Sequence, residues 1–138
     1  MKKLRFLILC TGNSARSQMA EGFLRHDSGD RFEVSSAGTN PKPVRPEAVA
    51  VMREIGIDIS AQRSKHVNDF AGQSFDYVLT VCDNARENCP VFPAATRMIH
   101  RDFPDPAALD APEAERLALF RLVRDDLRAF LRSFPSPR

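Results

Sequence analysis

The sequence predicts an α/β fold: one domain, residues 1–138, with a four-stranded parallel sheet flanked by helices in three layers. Three observations predict it. Four short apolar or β-branched runs alternate with helical patterns, and strands that alternate with helices form parallel sheets covered on both faces. The first run, Leu4–Leu9, is almost continuously apolar, as a strand buried on both faces requires. The chain has 138 residues, the size of one domain, and neither a repeat nor a linker divides it.

The elements follow in order. Leu4–Leu9 is the first strand, and Cys10 is its last residue. A helical pattern runs from Arg16 to Arg25. The second strand, residues 31–38, alternates Phe32 and Val34 with polar residues. "GTNPKPVRPEA" is Pro-rich and reads as a surface loop. Pro46 then suits the first turn of a helix that stops at Gly56. Phe75–Cys82 is rich in aromatic and β-branched residues and reads as the third strand; Thr96–His100 is a short fourth. The last helix runs from about Pro112 to Phe134, with Asp110 and Glu113 at its start. Leu117, Phe120, Val123, Leu127, Phe130 and Phe134 recur at helical spacing. The arginines at 116, 121, 124, 128 and 132 read as its solvated face, with a binding patch as the second reading.

Composition narrows the class. A net charge of +2 does not suggest a nucleic-acid partner. Two lysines precede the first apolar run, but Phe6–Cys10 is shorter than the roughly 7–15 apolar residues of a signal peptide. No stretch approaches a membrane span. Three cysteines, Cys10, Cys82 and Cys89, are too few and too odd in number for a secreted disulfide scaffold. We expect a cytoplasmic monomer without nucleic-acid or membrane partners.

In parallel α/β sheets, ligands bind beyond the carboxyl ends of the strands, where Cys10 lies. Thr11, Gly12, Asn13, Ser14 and Ala15 form a turn of small residues, and Arg16 opens the helix. Successive backbone amides in such a turn make a nest for an anion, and the helix N-terminus adds its partial positive charge. Arg16 can grip two oxygens of a tetrahedral anion. The same surroundings predict that the Cys10 thiol titrates below its ordinary value of about 8.5, in the range of roughly 3.5–7.5. Ser17 is placed to donate to the sulfur, and Asn13 suits a left-handed turn. The cradle would bind an oxyanion and aim a nucleophile at its central atom. The competing reading is a strand-end cysteine buried as a small hydrophobe.

Cys82 and Cys89 are seven residues apart, which is long for a zinc hairpin, and no histidine pair completes a site. We expect no metal and no cofactor. Coincidental burial is one alternative; redox pairing is another, and it makes a structural demand. If residues 82–89 were helical, the two cysteines would stand about 10 Å apart along the axis. A disulfide needs Cα atoms within about 4.4–6.8 Å, so the pair closes only if that segment unwinds. The segment is short and polar, and Pro90 marks its end.

"CTGNSARS" resembles the phosphate-binding loop of the low-molecular-weight protein tyrosine phosphatase superfamily. "CTGNSARSQMAEG" is more similar to its branch of thioredoxin-coupled arsenate reductases, and the likeness continues through "SSAG", "DIS", "VCDNARENCP" and "FPDPA". The resemblance implies a phosphatase-like fold and a reaction. Cys10 would attack arsenate, Cys82 would attack Cys10 and release arsenite, and Cys89 would move the disulfide to Cys82–Cys89 for thioredoxin to reduce. Phosphate and sulfate would act as analogues. Asp105, followed by Pro106, matches the family's catalytic acid better than Asp102.

Departures from the phosphatase pattern are Thr11, Ala15, and Ala107 and Ala108 where aromatic residues would flank a phenyl ring; they favour a small inorganic oxyanion. Some reductases hold potassium near Asn13, Glu21 and Ser36. Here Arg63 and Lys65 stand at the remaining positions, and a charged basic side chain offers no lone pair, so we expect no potassium. Two further functional readings remain: a phosphatase of the same fold, with any phosphatase activity otherwise a weak side reaction, and an oxyanion-binding thiol switch.

Overall fold

Strands β1 (Leu4–Cys10), β2 (Phe32–Gly38), β3 (Tyr77–Thr80) and β4 (Arg97–His100) form one parallel sheet in the order β2-β1-β3-β4. The computed structural model describes residues 3–89, 92 and 96–133, so the expectations on Pro90 and Phe134 lie outside it. Helices α1 (Arg16–Ser28), α2 (Pro46–Arg53), α3 (Asp83–Glu87) and α4 (Glu113–Ser133) alternate with the strands. Short 3-10 turns cover Val67–Phe70 and Pro106–Ala108. The predicted α/β class and its four parallel strands are those observed. No helix among the described residues is long and apolar enough to cross a membrane.

Burial follows the sequence pattern. Phe6 to Cys10 are all buried, so β1 is covered on both faces. Phe6 stacks on Tyr77 at 5.5 Å between ring centroids and meets Phe32 edge-on at 5.3 Å, tying the three strands together. The outgoing connection of β1 leads to β2 on one side, and that of β3 leads to β4 on the other. The carboxyl ends of β1 and β3 therefore flank a topological switch point, where a crevice opens.

The third strand is shorter than expected. Pairing ends at Thr80, opposite His100, because β4 ends there. Cys82 keeps extended backbone (φ −150°, ψ 156°) but serves as the N-cap of α3. Phe75, at the other end, packs against Phe70 and Phe92 instead of pairing. Helix α2 ends at Arg53, and Gly56 takes φ 82° in the turn beyond it.

The arginines of α4 are a correction: they are not simply a solvated face. Arg124 is buried, donating to the Val51 carbonyl at 2.8 Å and to Glu54 at 2.9 Å. Arg121 forks onto the same Glu54, Arg116 reaches Glu47, and Arg128 and Arg132 meet Asp27. These residues fasten α4 to α1 and α2. Periodicity identifies them as polar, but their acidic partners come from distant parts of the chain.

Candidate active site

Cys10 ends β1 at the switch point, and residues 11–15 turn from it into α1. Surrounding groups occupy the carbonyls of this turn. The amides of Thr39, Asn40, Lys42 and Arg45 donate to the carbonyls of Cys10, Thr11, Gly12 and Ser14 at 2.8–3.2 Å. The Asn13 carbonyl accepts from Gln18 Nε2 (3.0 Å) and Ser64 Oγ (2.7 Å), and that of Ala15 from the Met19 amide. With the carbonyls engaged outward, the amides of Gly12, Ser14 and Ala15 meet no acceptor among the described residues. An anion entering the turn finds donors there.

Asn13 fixes the turn as the sequence suggests. It is the one non-glycine residue with positive φ (48°) among the described residues. Its buried amide donates to Ser17 Oγ at 2.7 Å and Ser36 Oγ at 2.9 Å, and accepts from the Lys65 amide at 2.8 Å. Gly38, ending β2, allows this close packing. A Cβ there would lie 2.5 Å from the Thr11 carbonyl oxygen and 2.8 Å from the Asn13 nitrogen.

The Cys10 sulfur lies 2.8 Å from Ser17 Oγ and accepts from the Asn13 amide at 3.1 Å. Its titration corrects the expectation of a depressed thiol. Burial pushes the Cys10 thiol above the ordinary cysteine range; hydrogen bonds from Ser17, the Arg16 charge and the Asn13 amide only partly oppose it. Arg16 is buried, with Nη1 on the Phe103 carbonyl at 3.0 Å and Nη2 3.7 Å from Asp105.

A cavity of about 260 Å³ opens over Cys10 and Arg16. Asp105, Ala107 and Ala108 line its far wall, and Asp102 does not. Asp105 Oδ1 accepts from the Ala107 amide at 3.0 Å, which fixes the carboxylate at the start of the 3-10 turn. No aromatic side chain lines this cavity among the described residues.

Cys82 is buried, 3.3 Å from Thr11 Oγ1, and accepts from the Ala85 amide at 3.4 Å as it caps α3. Cys89 lies just past the other end of α3, half-buried, with burial pushing its thiol up. All three thiols are free. The structure thus brings Cys10 and Cys82 to the same crevice and sets Cys89 across a five-residue helix from them.

The potassium-site residues do converge, but their donor set does not fit the ion. Ser36 Oγ donates to Glu21 Oε1 at 2.5 Å, with Asn13 on the same hydroxyl. Lys65 Nζ stands 3.8 Å from Glu21 Oε1, and Arg25 holds the other oxygen at 2.8 Å. Positive charge is already supplied, by Lys65 and Arg25. Arg63 contributes its carbonyl, which accepts from Gln18 and Lys65. Burial lowers the Lys65 ammonium's pKa, and Glu21 opposes this.

Sequence reasoning missed Lys42 and Arg45, which line the cavity, and Gln18 and Ser64, which brace Asn13. Lys42 and Arg45 were open to discovery: their loop follows β2 and leaves the sheet at the same edge as Cys10.

A doubly wound parallel sheet with a cysteine-centred anion cradle at its switch point defines an oxyanion-handling α/β protein. The chain belongs to the low molecular weight phosphotyrosine protein phosphatase family, whose model matches residues 5–135. It is 42% identical to an arsenate reductase of Shouchella clausii, over 97% of this chain and 96% of that protein. Among solved structures it is similar to an arsenate reductase in the phosphate-binding state (33% identity, TM-score 0.71, 94% of each chain). It is likewise similar to a low molecular weight protein tyrosine phosphatase from T. tengcongensis (27% identity, TM-score 0.75, 94% of this chain and 96% of that one).

Proposed function

We propose that this chain reduces arsenate to arsenite in the cytoplasm, as a monomer recycled by thioredoxin. One observation carries the reading: a cysteine in an anion cradle, a second at the same crevice, and a third across a short helix. The arsenate relatives and the phosphate-binding structure support the substrate class.

Arsenate enters the turn and is held by its amides and by Arg16. Because burial keeps the Cys10 thiol protonated, the bound oxyanion, itself a base, accepts that proton. Ser17 and the Asn13 amide stabilise the resulting thiolate. Cys10 Sγ bonds to arsenic, and one oxygen departs as water with a proton from Asp105. Cys82, as thiolate, then attacks Cys10 Sγ. The sulfur–arsenic bond breaks, its electron pair passes to arsenic, and arsenite leaves. The Cys10–Cys82 disulfide is attacked by Cys89, which returns Cys10 as thiolate and leaves Cys82–Cys89. Thioredoxin's dithiol reduces that bond and becomes a disulfide itself.

The small wall of Ala107 and Ala108 favours an inorganic oxyanion over an aryl phosphate, so phosphatase activity is a side reaction. The test is arsenite production with thioredoxin, thioredoxin reductase and NADPH. Wild type turns over repeatedly; Cys89→Ser releases about one arsenite per chain and stops with a Cys10–Cys82 disulfide, read by peptide mass mapping. Sustained turnover by Cys89→Ser refutes the relay, and stoichiometric thiol oxidation without arsenite indicates a thiol switch.

A further inference from the structure

We propose that Lys42 and Arg45 form a second anion subsite beside the Cys10 cradle, so that the site takes two-headed anions such as pyrophosphate more tightly than a lone tetrahedral oxyanion. The inference rests on the reading that residues 11–16 bind an oxyanion.

The position of these side chains is set by main-chain bonds. The Lys42 amide donates to the Gly12 carbonyl and the Arg45 amide to the Ser14 carbonyl, both at 2.8 Å. Each basic residue is therefore anchored directly on the cradle, and both line the cavity that opens over Cys10. At about 260 Å³ that cavity approaches the roughly 300–1,000 Å³ of pockets that take small organic ligands.

Its charge exceeds what one anion head uses. Arg16, Lys42 and Arg45 line the cavity with a single carboxylate, Asp105, which Arg16 already approaches at 3.7 Å. Arg16 is already committed to the Phe103 carbonyl and Asp105, beside the cradle. The Lys42 ammonium has no partner among the described residues. Arg45 is held by Glu47, which accepts from its Nη2 at 3.2 Å and also takes Arg116 at 3.4 Å. The Arg45 side chain is 38% exposed, so it can turn a guanidinium donor to a second anionic head in this cavity. That head would be kept from Asp105 by like charge and drawn to the Lys42–Arg45 side.

Calorimetry with inorganic phosphate and with pyrophosphate tests the proposal. Wild type is expected to bind pyrophosphate about tenfold more tightly, equivalent to about 1.4 kcal/mol. Lys42→Gln and Arg45→Gln should each weaken pyrophosphate more than phosphate and so remove most of that preference. Lys42 is exposed, so its variant keeps the fold if the Arg45 variant does not. Arg97→Gln, an equal change of net charge on exposed β4, should keep the preference. Equal affinity for the two anions in wild type overturns the subsite, as does an equal loss in Arg97→Gln, which would mark a diffuse field. If Arg16→Lys leaves phosphate binding unchanged, the cradle reading itself falls; if phosphate binds but pyrophosphate gains nothing, only the subsite falls.

Discussion

The cradle of residues 10–16 and the segment of residues 82–89 meet where Thr11 Oγ1 lies 3.3 Å from Cys82 Sγ, yet they are held in opposite ways. In the cradle the carbonyls are tied outward by main-chain and side-chain donors, and the Asn13 side chain makes three hydrogen bonds. Helix α3 has five residues; Ala85 is buried, while Asn84, Arg86 and Glu87 are exposed. A cysteine cap and a surface bond from Thr39 Oγ1 to Asn84 Oδ1 at 2.7 Å help hold it. Stabilising developing charge requires donors fixed in advance, whereas bringing Cys89 to Cys82 requires a segment that opens at little cost. Two grades of local stability side by side suit the proposed reaction, which binds in one place and exchanges thiols in the other.

The largest expected effect is at Cys10, the proposed nucleophile. Cys10→Ser should abolish arsenite formation while leaving amide exchange across residues 83–88 at the wild-type rate; appreciable turnover in protein free of wild type would break the assignment. Next is Gly38→Ala. Its Cβ would press on main-chain atoms of Thr11 and Asn13, which cannot rotate aside. We expect about 1–3 kcal/mol of lost stability by denaturant titration and at least tenfold weaker phosphate binding, since the cradle must deform. Unchanged phosphate affinity would show that the cradle is more pliable than its hydrogen bonds imply.

Ser17→Ala acts on the thiol and also removes one of the three hydrogen bonds of the Asn13 side chain. Burial raises the Cys10 pKa and the Ser17 hydrogen bond opposes it, so removing the hydroxyl moves the titration further up. The rate of Cys10 alkylation against pH should shift toward higher pH, falling roughly fivefold near neutrality. A profile that moves down would reverse the sign of the argument. The smallest effect belongs to Thr39→Val. The amide of Thr39 holds the Cys10 carbonyl and its hydroxyl holds Asn84, so valine releases α3 without touching the cradle. Amide exchange of residues 84–88 should quicken, at a cost of about 1 kcal/mol or less, with phosphate affinity unchanged. Equal protection in both proteins would mean that α3 is secured by other bonds.

The cradle was legible because its parts are adjacent in the chain. A strand-end cysteine, a turn of small residues and an arginine opening a helix lie within residues 10–16. What escaped depends on distant neighbours. The sequence shows the polar residues around Cys10 but not the depth at which the fold buries it, and depth decides the direction of its titration. Arg124 has the periodicity of an exposed residue, but Val51 and Glu54 reach it from α2 and the turn after it. Cys82 sits in a run with strand composition, but β4 gives out at His100, and the unpaired residue becomes a helix cap.

Main-chain clamping of the cradle also bears on how this pocket can change over generations. The contacts from residues 39–45 that hold it in shape come from backbone amides, which every residue except proline supplies. Side chains at 40, 42 and 45 can therefore be exchanged while the nest keeps its geometry, and those at 107 and 108 stand on a separate turn. Such an arrangement separates the inherited chemistry from the part that selection, or a designer, can recut. A library confined to these five positions would sample new anions around an unaltered Cys10.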